Sequence, residues 1–600
     1  FYNKDNNLMP AFVDPIMAYK LPTNFPAYTP EGKLYYRDEY DNPYAWMLSK
    51  HKSNSNNLVA NLTLKYTLMK GLDLKVSGGY NRIEMVQTIT RPRPVLGGSS
   101  NLAIYTNNNN QSLILEPQIS YTRSFGRSKV DFVGGGSYQE SRFVMPYYIF
   151  ATNYASDELL ENVSSAGRIN SITNSQSLYR YASGFGRLTY NWDDKYILNG
   201  VFRRDGSSRF APGKQFGNFG SIGLAWVFSN EAFISSTLPW LSYGKIRGSY
   251  GSTGNDQITD YGYLDTYGPS VYPYGPTAGM MPTRVANPEF SWEVTKKLEA
   301  ALELGFAKDR FMFTLNYFRN RSDNMLVGTP LTPQTGFSEF QSNFPALVQN
   351  KGIEIELNVK TMQKTAFSWN TSFNLTSLRN ELASFPGLAE SGFRDMYLIG
   401  QPLSMIALYE YAGLKDGIPE VTDKDGDKTP VPGLAGNGGG DLIAAGQTAP
   451  YFYGGFNNTL SYRNWSFDIF FQFVKQDGLH PRSSDPYMVP GLAFNQDAHM
   501  LRDGLRPTVN AGSPAYVAYE AYARSTAMLQ DASYIRLKNL AISYNLKSAW
   551  LNEKGIDACR FFLRGQNLLT FTGYYGFDPE TKALTLPPLK TATIGIQVTL

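Results

Sequence analysis

Leu298-Glu-Ala-Ala-Leu-Glu-Leu-Gly-Phe306, then Ala307-Lys-Asp-Arg310, then Phe311-Met-Phe-Thr-Leu-Asn-Tyr317 is the stretch that decides how this sequence folds. In an extended chain successive side chains point to opposite faces. One face of the first segment therefore carries Leu298, Ala300, Leu302, Leu304 and Phe306, and the other Glu299, Ala301, Glu303 and Gly305. After the tight turn, Phe311, Phe313, Leu315 and Tyr317 oppose Met312, Thr314 and Asn316. The next pair repeats the pattern. Ile353, Ile355, Leu357 and Val359 alternate with Glu354, Glu356, Asn358 and Lys360, and Phe367, Trp369, Phe373 and Leu375 with Ser368, Asn370, Ser372 and Asn374. Carboxylates interleaved with aliphatics do not suit a strand buried on both faces. They suit a wall with one face in oil and one in water.

Working outward, the same alternation predicts strands over 57–69, 71–88, 111–125, 129–148, 177–192, 195–205, 218–229, 242–253, 292–307, 310–321, 350–362, 366–378, 450–463, 465–476, 533–547, 558–570 and 591–600. That is about 17, with ends uncertain by a few residues. Near 534–546 Arg536 and Lys538 share a parity with Leu540, Ile542 and Tyr544, which a bulge would produce. Connections alternate between short and long. Short ones include Met69-Lys70-Gly71, Gly126-Arg127-Ser128, Asp193-Asp194, Gln363-Lys364-Thr365 and Arg463-Asn464. Long ones cover about 89–110, 149–176, 254–291, 322–349, 379–449, 477–532 and 571–590. Short turns at one end and long loops at the other are the layout of an outer-membrane barrel, with the long loops outside. The sequence is thus expected to be all-β: a large antiparallel transmembrane β-barrel over 57–600, preceded by an external loop region over 1–56. First and last strands running in one direction imply an odd number, whereas single-chain bacterial barrels are even. A preceding segment is therefore expected.

Composition agrees. Aromatic residues make up 14%, with 41 Tyr and 37 Phe, yet only 18% of residues are charged. No run approaches the roughly 18 apolar residues of a spanning helix. Cys559 is the sole cysteine, which excludes an internal disulfide framework and reads as a small buried or lipid-facing residue. The net charge of +4 comes without the clustered Lys/Arg that grip nucleic acid, so no nucleic-acid partner is expected.

Several segments spread along the chain resemble the SusC/RagA family of TonB-dependent transporters. They are Tyr181-Ala-Ser-Gly-Phe-Gly-Arg-Leu-Thr-Tyr190, Arg203-Arg-Asp-Gly-Ser-Ser-Arg-Phe210, Gly223-Leu-Ala-Trp226, and Lys245-Ile-Arg-Gly-Ser-Tyr-Gly251 leading into Thr253-Gly-Asn255. Asn287-Pro288 before Trp292-Glu293, Asn350-Lys-Gly-Ile-Glu354, Tyr534-Ile-Arg-Leu-Lys538, Gly565-Gln-Asn-Leu-Leu569 and Gly576-Phe-Asp-Pro-Glu580 complete the set. Each alone is weak; their joint order is specific. The resemblance implies a barrel of about 22 strands around an N-terminal plug, of which this chain would hold the last 17 without the plug. It also implies TonB-dependent import of a glycan or peptide across a Gram-negative outer membrane, a SusD-like lipoprotein as lid, and contact with TonB through a segment before residue 1. The final strand, ending at Leu600 rather than an aromatic residue, would be the signal for the barrel-insertion machinery.

Candidate sites are few. Asp423, Asp425 and Asp427 alternate around Gly426 in the long 379–449 loop, and with Asp441 they are candidate ligands of a Ca²⁺ ion. Lys428 stands where a calcium loop has Gly, and Leu434 where an EF-hand has its bidentate Glu, so a solvated acidic turn is the competing reading. Arg203-Arg-Asp-Gly-Ser-Ser-Arg209 lacks the trailing Gly-Lys-Ser/Thr of a phosphate loop and reads as a structural rim hairpin. Tyr261, Tyr263, Tyr267, Tyr272, Tyr274, Tyr451 and Tyr453 could stack on sugars or pack loops, and none is assigned to substrate. His51, His480 and His499 are expected in loops without metal-ligand spacing, and no nucleophile is flagged, so no enzymatic activity is expected and no cofactor is required. Inward rows such as Glu299, Glu303, Glu354, Glu356 and Lys360 would line a lumen or hold a plug. The rival readings are a receptor, adhesin or secretion accessory that does not transport, a passive porin, and an outer-membrane hydrolase.

Overall fold

The computed structural model describes residues 2–10, 21–36, 42–97, 100–270, 279–433, 440–481, 504–506, 513–546 and 555–599, less positions 23, 365, 395 and 584 and with a few single residues between. Eighteen strands form one sheet in which each pairs antiparallel with the next in sequence. They are β1 (Tyr2–Pro10), β2 (Lys50–Met69), β3 (Leu72–Arg91), β4 (Leu102–Phe125), β5 (Ser128–Thr152) and β6 (Arg168–Trp192). Next come β7 (Tyr196–Ser207), β8 (Phe216–Trp226), β9 (Leu241–Asn255), β10 (Glu293–Phe306), β11 (Phe311–Asp323) and β12 (Leu347–Lys364). The last six are β13 (Phe367–Ser384), β14 (Phe452–Tyr462), β15 (Trp465–Lys475), β16 (Tyr534–Leu546), β17 (Ala558–Thr572) and β18 (Thr591–Thr599). Among the described residues no helix is long and apolar enough to cross a membrane.

Three sequence expectations need correction. The region 1–56 is not all loop: β1 pairs with the first half of β2, from Tyr2 opposite Leu58 to Pro10 opposite Lys50. Among the described residues the sheet therefore has 18 strands rather than 17, an even number rather than an odd one. His51 sits in β2, not in a loop, with its Nε2 3.1 Å from Gln87 Nε2. Likewise, much of the expected loops 89–110 and 149–176 belongs to β4, β5 and β6. The cause is common to all. Beyond the membrane both faces of a strand are wet, so Asn54, Ser55, Asn56, Asn57 and the run Asn107–Asn110 pair regularly without any apolar alternation to reveal it.

Within the belt the alternation is realised strand by strand. Leu302, Leu315, Ile355 and Leu375 stand directly opposite one another across β10 to β13. On the same face Leu62, Leu64, Ile222 and Leu224 are all more than half exposed. A water-soluble protein rarely leaves so continuous an apolar surface bare, whereas a lipid-facing wall requires it. Near the short turns aromatic rings form a girdle. Trp192 stacks on Tyr196 at 5.5 Å, Tyr196 on Trp226 at 6.4 Å, Trp240 on Phe306 at 5.6 Å, and Trp465 meets Tyr544 at 4.9 Å. Amphipathic rings belong at the boundary between hydrocarbon and water. Cys559 lies half-buried opposite Val598, on the parity of the outward residues Phe561 and Leu563.

The short turns have the backbone they need. Asp193 and Asp194 adopt φ of 58° and 52°, the left-handed pair of a tight hairpin turn. Gly71, at φ 87°, also has no room for a side chain, since a Cβ would lie 2.2 Å from the Thr122 carbonyl oxygen. The expected bulge is present: register shifts between Leu537 and Asn539 against both neighbouring strands, with Lys538 the extra residue opposite β15 and Asn567 and Leu568 passed over on β17. That restores Arg536 to the inward face while Leu540 and Ile542 face out. At the opposite end the long connections carry their own structure. Met405–Lys415, Ile418–Thr422, Lys428–Thr429 and Leu442–Gln447 form a four-stranded sheet, and the helix Pro514–Ala523 packs on it through Tyr409, Val421 and Ala521.

Candidate transport lumen and external rim

The inward parity builds a polar surface. Glu303 accepts from Arg247 Nε at 2.9 Å and from Lys245 Nζ at 3.4 Å, and Glu299 lies 4.0 Å from Arg247. Farther round, Glu354 accepts from Asn316 Nδ2 at 2.9 Å, Asp468 from Thr459 Oγ1 at 2.9 Å, and Ser543 Oγ from Arg560 Nη2 at 3.0 Å. Bulky inward rings lie flat against a cross-strand glycine. A Cβ on Gly595 would come 2.3 Å from Phe562, one on Gly455 2.7 Å from Phe470, and one on Gly352 2.8 Å from Phe318. Glycine there lets rings hug the wall instead of filling the interior. The result is a lumen face of paired charges and amides, suited to a hydrated passage or a polar occupant. By contrast, the apolar hollow of about 360 Å³ bounded by Tyr190, Leu198, Leu224, Trp226 and Gly248 opens on the outer wall and is no substrate pocket.

Where the strands leave the belt, the sequence motifs converge. Arg536, 1% exposed, donates to Asp578 Oδ2 at 2.5 Å, to Glu580 Oε2 at 2.6 Å and to Thr570 Oγ1 at 3.0 Å. Lys538 adds a bond to Glu580 at 3.2 Å. Two motifs some forty residues apart are thus one ion-pair network that pins the 571–590 loop to the wall. The second knot is around Arg203-Arg-Asp-Gly-Ser-Ser-Arg-Phe210. Arg203 bonds Asp205 at 2.5 Å and also reaches Tyr181, while Arg209 donates to Asp260 Oδ1 at 2.9 Å and to the Asp256 carbonyl at 3.0 Å. Phe210 is fully buried against Phe290 and Trp292, and Trp292 donates its indole N–H to the Gln215 carbonyl at 3.0 Å. This motif is structural, as its spacing suggested. Both knots draw on residues far apart in sequence; their complementary charges were legible, their pairing was not.

The candidate calcium residues do come together. Asp423, Asp425 and Asp427 share one turn, and Asp441 folds back on it. Yet Asp423 Oδ1 already accepts from the backbone N–H groups of Asp425 and Asp427, at 3.0 and 2.9 Å. Asp441 accepts from Lys424 N at 3.1 Å and Gly433 N at 2.6 Å. The turn is thereby closed by its own hydrogen bonds. Among the described residues no group of three or more His, Cys, Asp or Glu is placed to hold a metal ion. Leu434, at the twelfth position, lies outside the described residues, as do Tyr274 and His499.

The remaining loop aromatics divide. Tyr267 and Tyr272 are well exposed, at 59% and 85%, on the external hairpin Thr266–Pro269 with Met280–Arg284. Tyr451 is engaged: its hydroxyl donates to Asp477 at 2.5 Å, and that carboxylate, helped by burial, pushes it up to about 12. Nearby, Lys475 and Ser533 hold the Asp531 carboxyl down at about 2. His480 stacks on Tyr575 at 5.1 Å.

Known proteins share this wall. TonB-dependent receptor P3 of Formosa agariphila is 29% identical over 596 residues, covering 94% of this chain and 59% of that protein. TonB-dependent receptor SusC of Bacteroides thetaiotaomicron is 25% identical over 584 residues, covering 90% and 55%. The solved structure of the RagAB peptide transporter superposes with a TM-score of 0.81 at 23% identity, over 95% of this chain and 65% of that one. The chain thus spans about six-tenths of the length of the relatives it matches. Residues 5–568 match the family described as TonB dependent receptor-like, beta-barrel. The chain belongs to that family of outer-membrane β-barrels, the one to which its scattered motifs had pointed.

Proposed function

We propose that this barrel serves TonB-dependent import of a glycan or peptide nutrient across the outer membrane of a Gram-negative bacterium, with a SusD-like surface lipoprotein covering its external mouth. The carrying observation is the two-faced wall. An apolar belt faces out, while Glu299, Glu303, Glu354 and Glu356 face a polar lumen beneath an elaborate external rim. Support for import comes from the relatives: SusC is named a TonB-dependent receptor, and RagAB a peptide transporter. On this reading the protein is not an enzyme and requires no cofactor. Its work is gated passage, in which lumen carboxylates and amides exchange hydrogen bonds with an occupant rather than making or breaking covalent bonds.

Deleting the gene should abolish uptake of one nutrient class, read with fluorescent oligosaccharides and peptides side by side. Loss of TonB should have the same effect. Uptake that persists without TonB would instead indicate a passive pore. A deletion strain that takes up both classes normally would leave the receptor reading.

A further inference from the structure

The outward rows of β10 to β13 change character abruptly. Leu302, Leu315, Ile355 and Leu375 stand side by side, and the next outward row toward the external rim is Ala300, Tyr317, Ile353 and Ser377. The row after that is Leu298, Arg319, Lys351 and Arg379. Three cations thus occupy three adjacent strands in one register row, with no register shift between them and the apolar rows beneath. Directly opposite residues lie roughly 5 Å apart, so the Cα atoms of Arg319 and Arg379 are about 10 Å apart. Like charges placed directly opposite destabilise a sheet.

Little inside the protein offsets them. Glu381 lies 3.3 Å from Lys351 Nζ and 3.7 Å from Arg379 Nε, and it also accepts from Gln349 Nε2 at 2.6 Å. Arg319 has no carboxylate partner among the described residues. One row farther out, Arg321 donates to the Gln349 amide oxygen at 2.7 Å, and Lys296 pairs with Asp323 at 2.9 Å. Among the described residues the patch therefore sets five cations against two carboxylates, a net charge of +3.

Position says what complements that charge. Arg319 shares the parity of Leu315 and Tyr317, Lys351 that of Ile353 and Ile355, and Arg379 that of Leu375, so all three project from the lipid side of the wall. Tyr317 and Ile353, both well exposed, lie directly beneath them. A lid over the mouth meets the loop tips, and an occupant of the lumen meets the opposite face. What borders this patch is the headgroup layer of the outer leaflet, where the group that answers clustered guanidinium and ammonium is phosphate.

We propose that Arg319, Lys351 and Arg379 together hold the phosphate of one lipid of the outer leaflet, whose acyl chain descends over Tyr317 and Ile353. Arg321 and Lys296 flank the headgroup. This requires only that the belt face lipid, and it stands or falls separately from the transport reading.

The test is native mass spectrometry of the whole barrel extracted from outer membranes in mild detergent, with folding checked by heat-modifiable gel migration. Wild type should retain one phosphorylated lipid. Arg319→Gln/Arg379→Gln should lower its occupancy about tenfold or more, through the loss of charge-assisted hydrogen bonds. Lys351→Gln, a single change that should lower it severalfold, keeps the test valid should the double variant not fold. Arg142→Gln/Arg204→Gln, which removes two exposed arginines from β5 and β7, should leave occupancy unchanged. Wild type stripped of lipid should rebind one from extracted outer-membrane lipids, and none from the same extract after enzymatic dephosphorylation. Equal retention in the folded Arg319/Arg379 or Lys351 variant overturns the proposal. So does an equal loss in the Arg142/Arg204 variant, equal rebinding of dephosphorylated lipid, or displacement of the lipid by inorganic phosphate alone.

Discussion

Arg536→Met should destabilise the folded barrel by about 3–5 kcal/mol, the usual cost of removing one member of a buried ion pair. The reason is what remains. Asp578 is 5% exposed and would keep its charge with no guanidinium to meet it, while Glu580, partly open to solvent, can turn to water. The deficit should appear in urea titrations of barrel refolded into vesicles, with little change in the slope of the transition. Arg536→Met/Asp578→Asn should recover much of the loss, because two neutral partners of similar shape leave no bare charge. Since the network anchors the 571–590 loop, limited proteolysis of Arg536→Met should cut first between Gly573 and Lys590. A single variant as stable as wild type would mean that the network forms no part of the folded barrel.

Charge in the belt should be nearly as costly. Ile355 faces outward in the row Leu302–Leu315–Ile355–Leu375, and its neighbour Glu356 faces the lumen. Ile355→Arg should cost about 2–4 kcal/mol, as for an arginine at the middle of a lipid-facing wall. Glu356→Arg, one residue along and no smaller a change in charge, should stay within about 0.5 kcal/mol. Had the apolar row packed on another protein layer, both substitutions would still differ, but the penalty at 355 would then persist in detergent-free water.

Much of this was legible in the sequence, for a physical reason. Wherever a strand separates oil from water, the solvent on each side selects every second residue, so Leu298–Phe306 and Ile353–Lys360 announce strand, face and membrane at once. Strand ends were not legible at Asn54–Asn57 or Asn107–Asn110, since water on both sides removes the selection. Motif residues could be seen but not joined. Nothing local in Tyr534-Ile-Arg-Leu-Lys538 shows that its arginine belongs to Asp578 and Glu580; only the register of β16 and β17 and the return of the following loop do that. The acidic turn at Asp423 illustrates the opposite risk. Its composition offers a cation, whereas its backbone geometry uses the same oxygens to close the turn.

All of these readings depend on which face of the wall meets hydrocarbon. The direct test is a nitroxide scan along Ile353–Lys360 in lipid bilayers, with Cys559 replaced by serine, comparing collisions with dissolved oxygen and with a water-soluble nickel complex. Labels at 353, 355, 357 and 359 should favour oxygen, and labels at 354, 356, 358 and 360 should favour nickel, in strict alternation. Equal access for both rows, or nickel reaching the isoleucine row as readily as the glutamate row, would contradict a lipid-facing barrel and everything built on it.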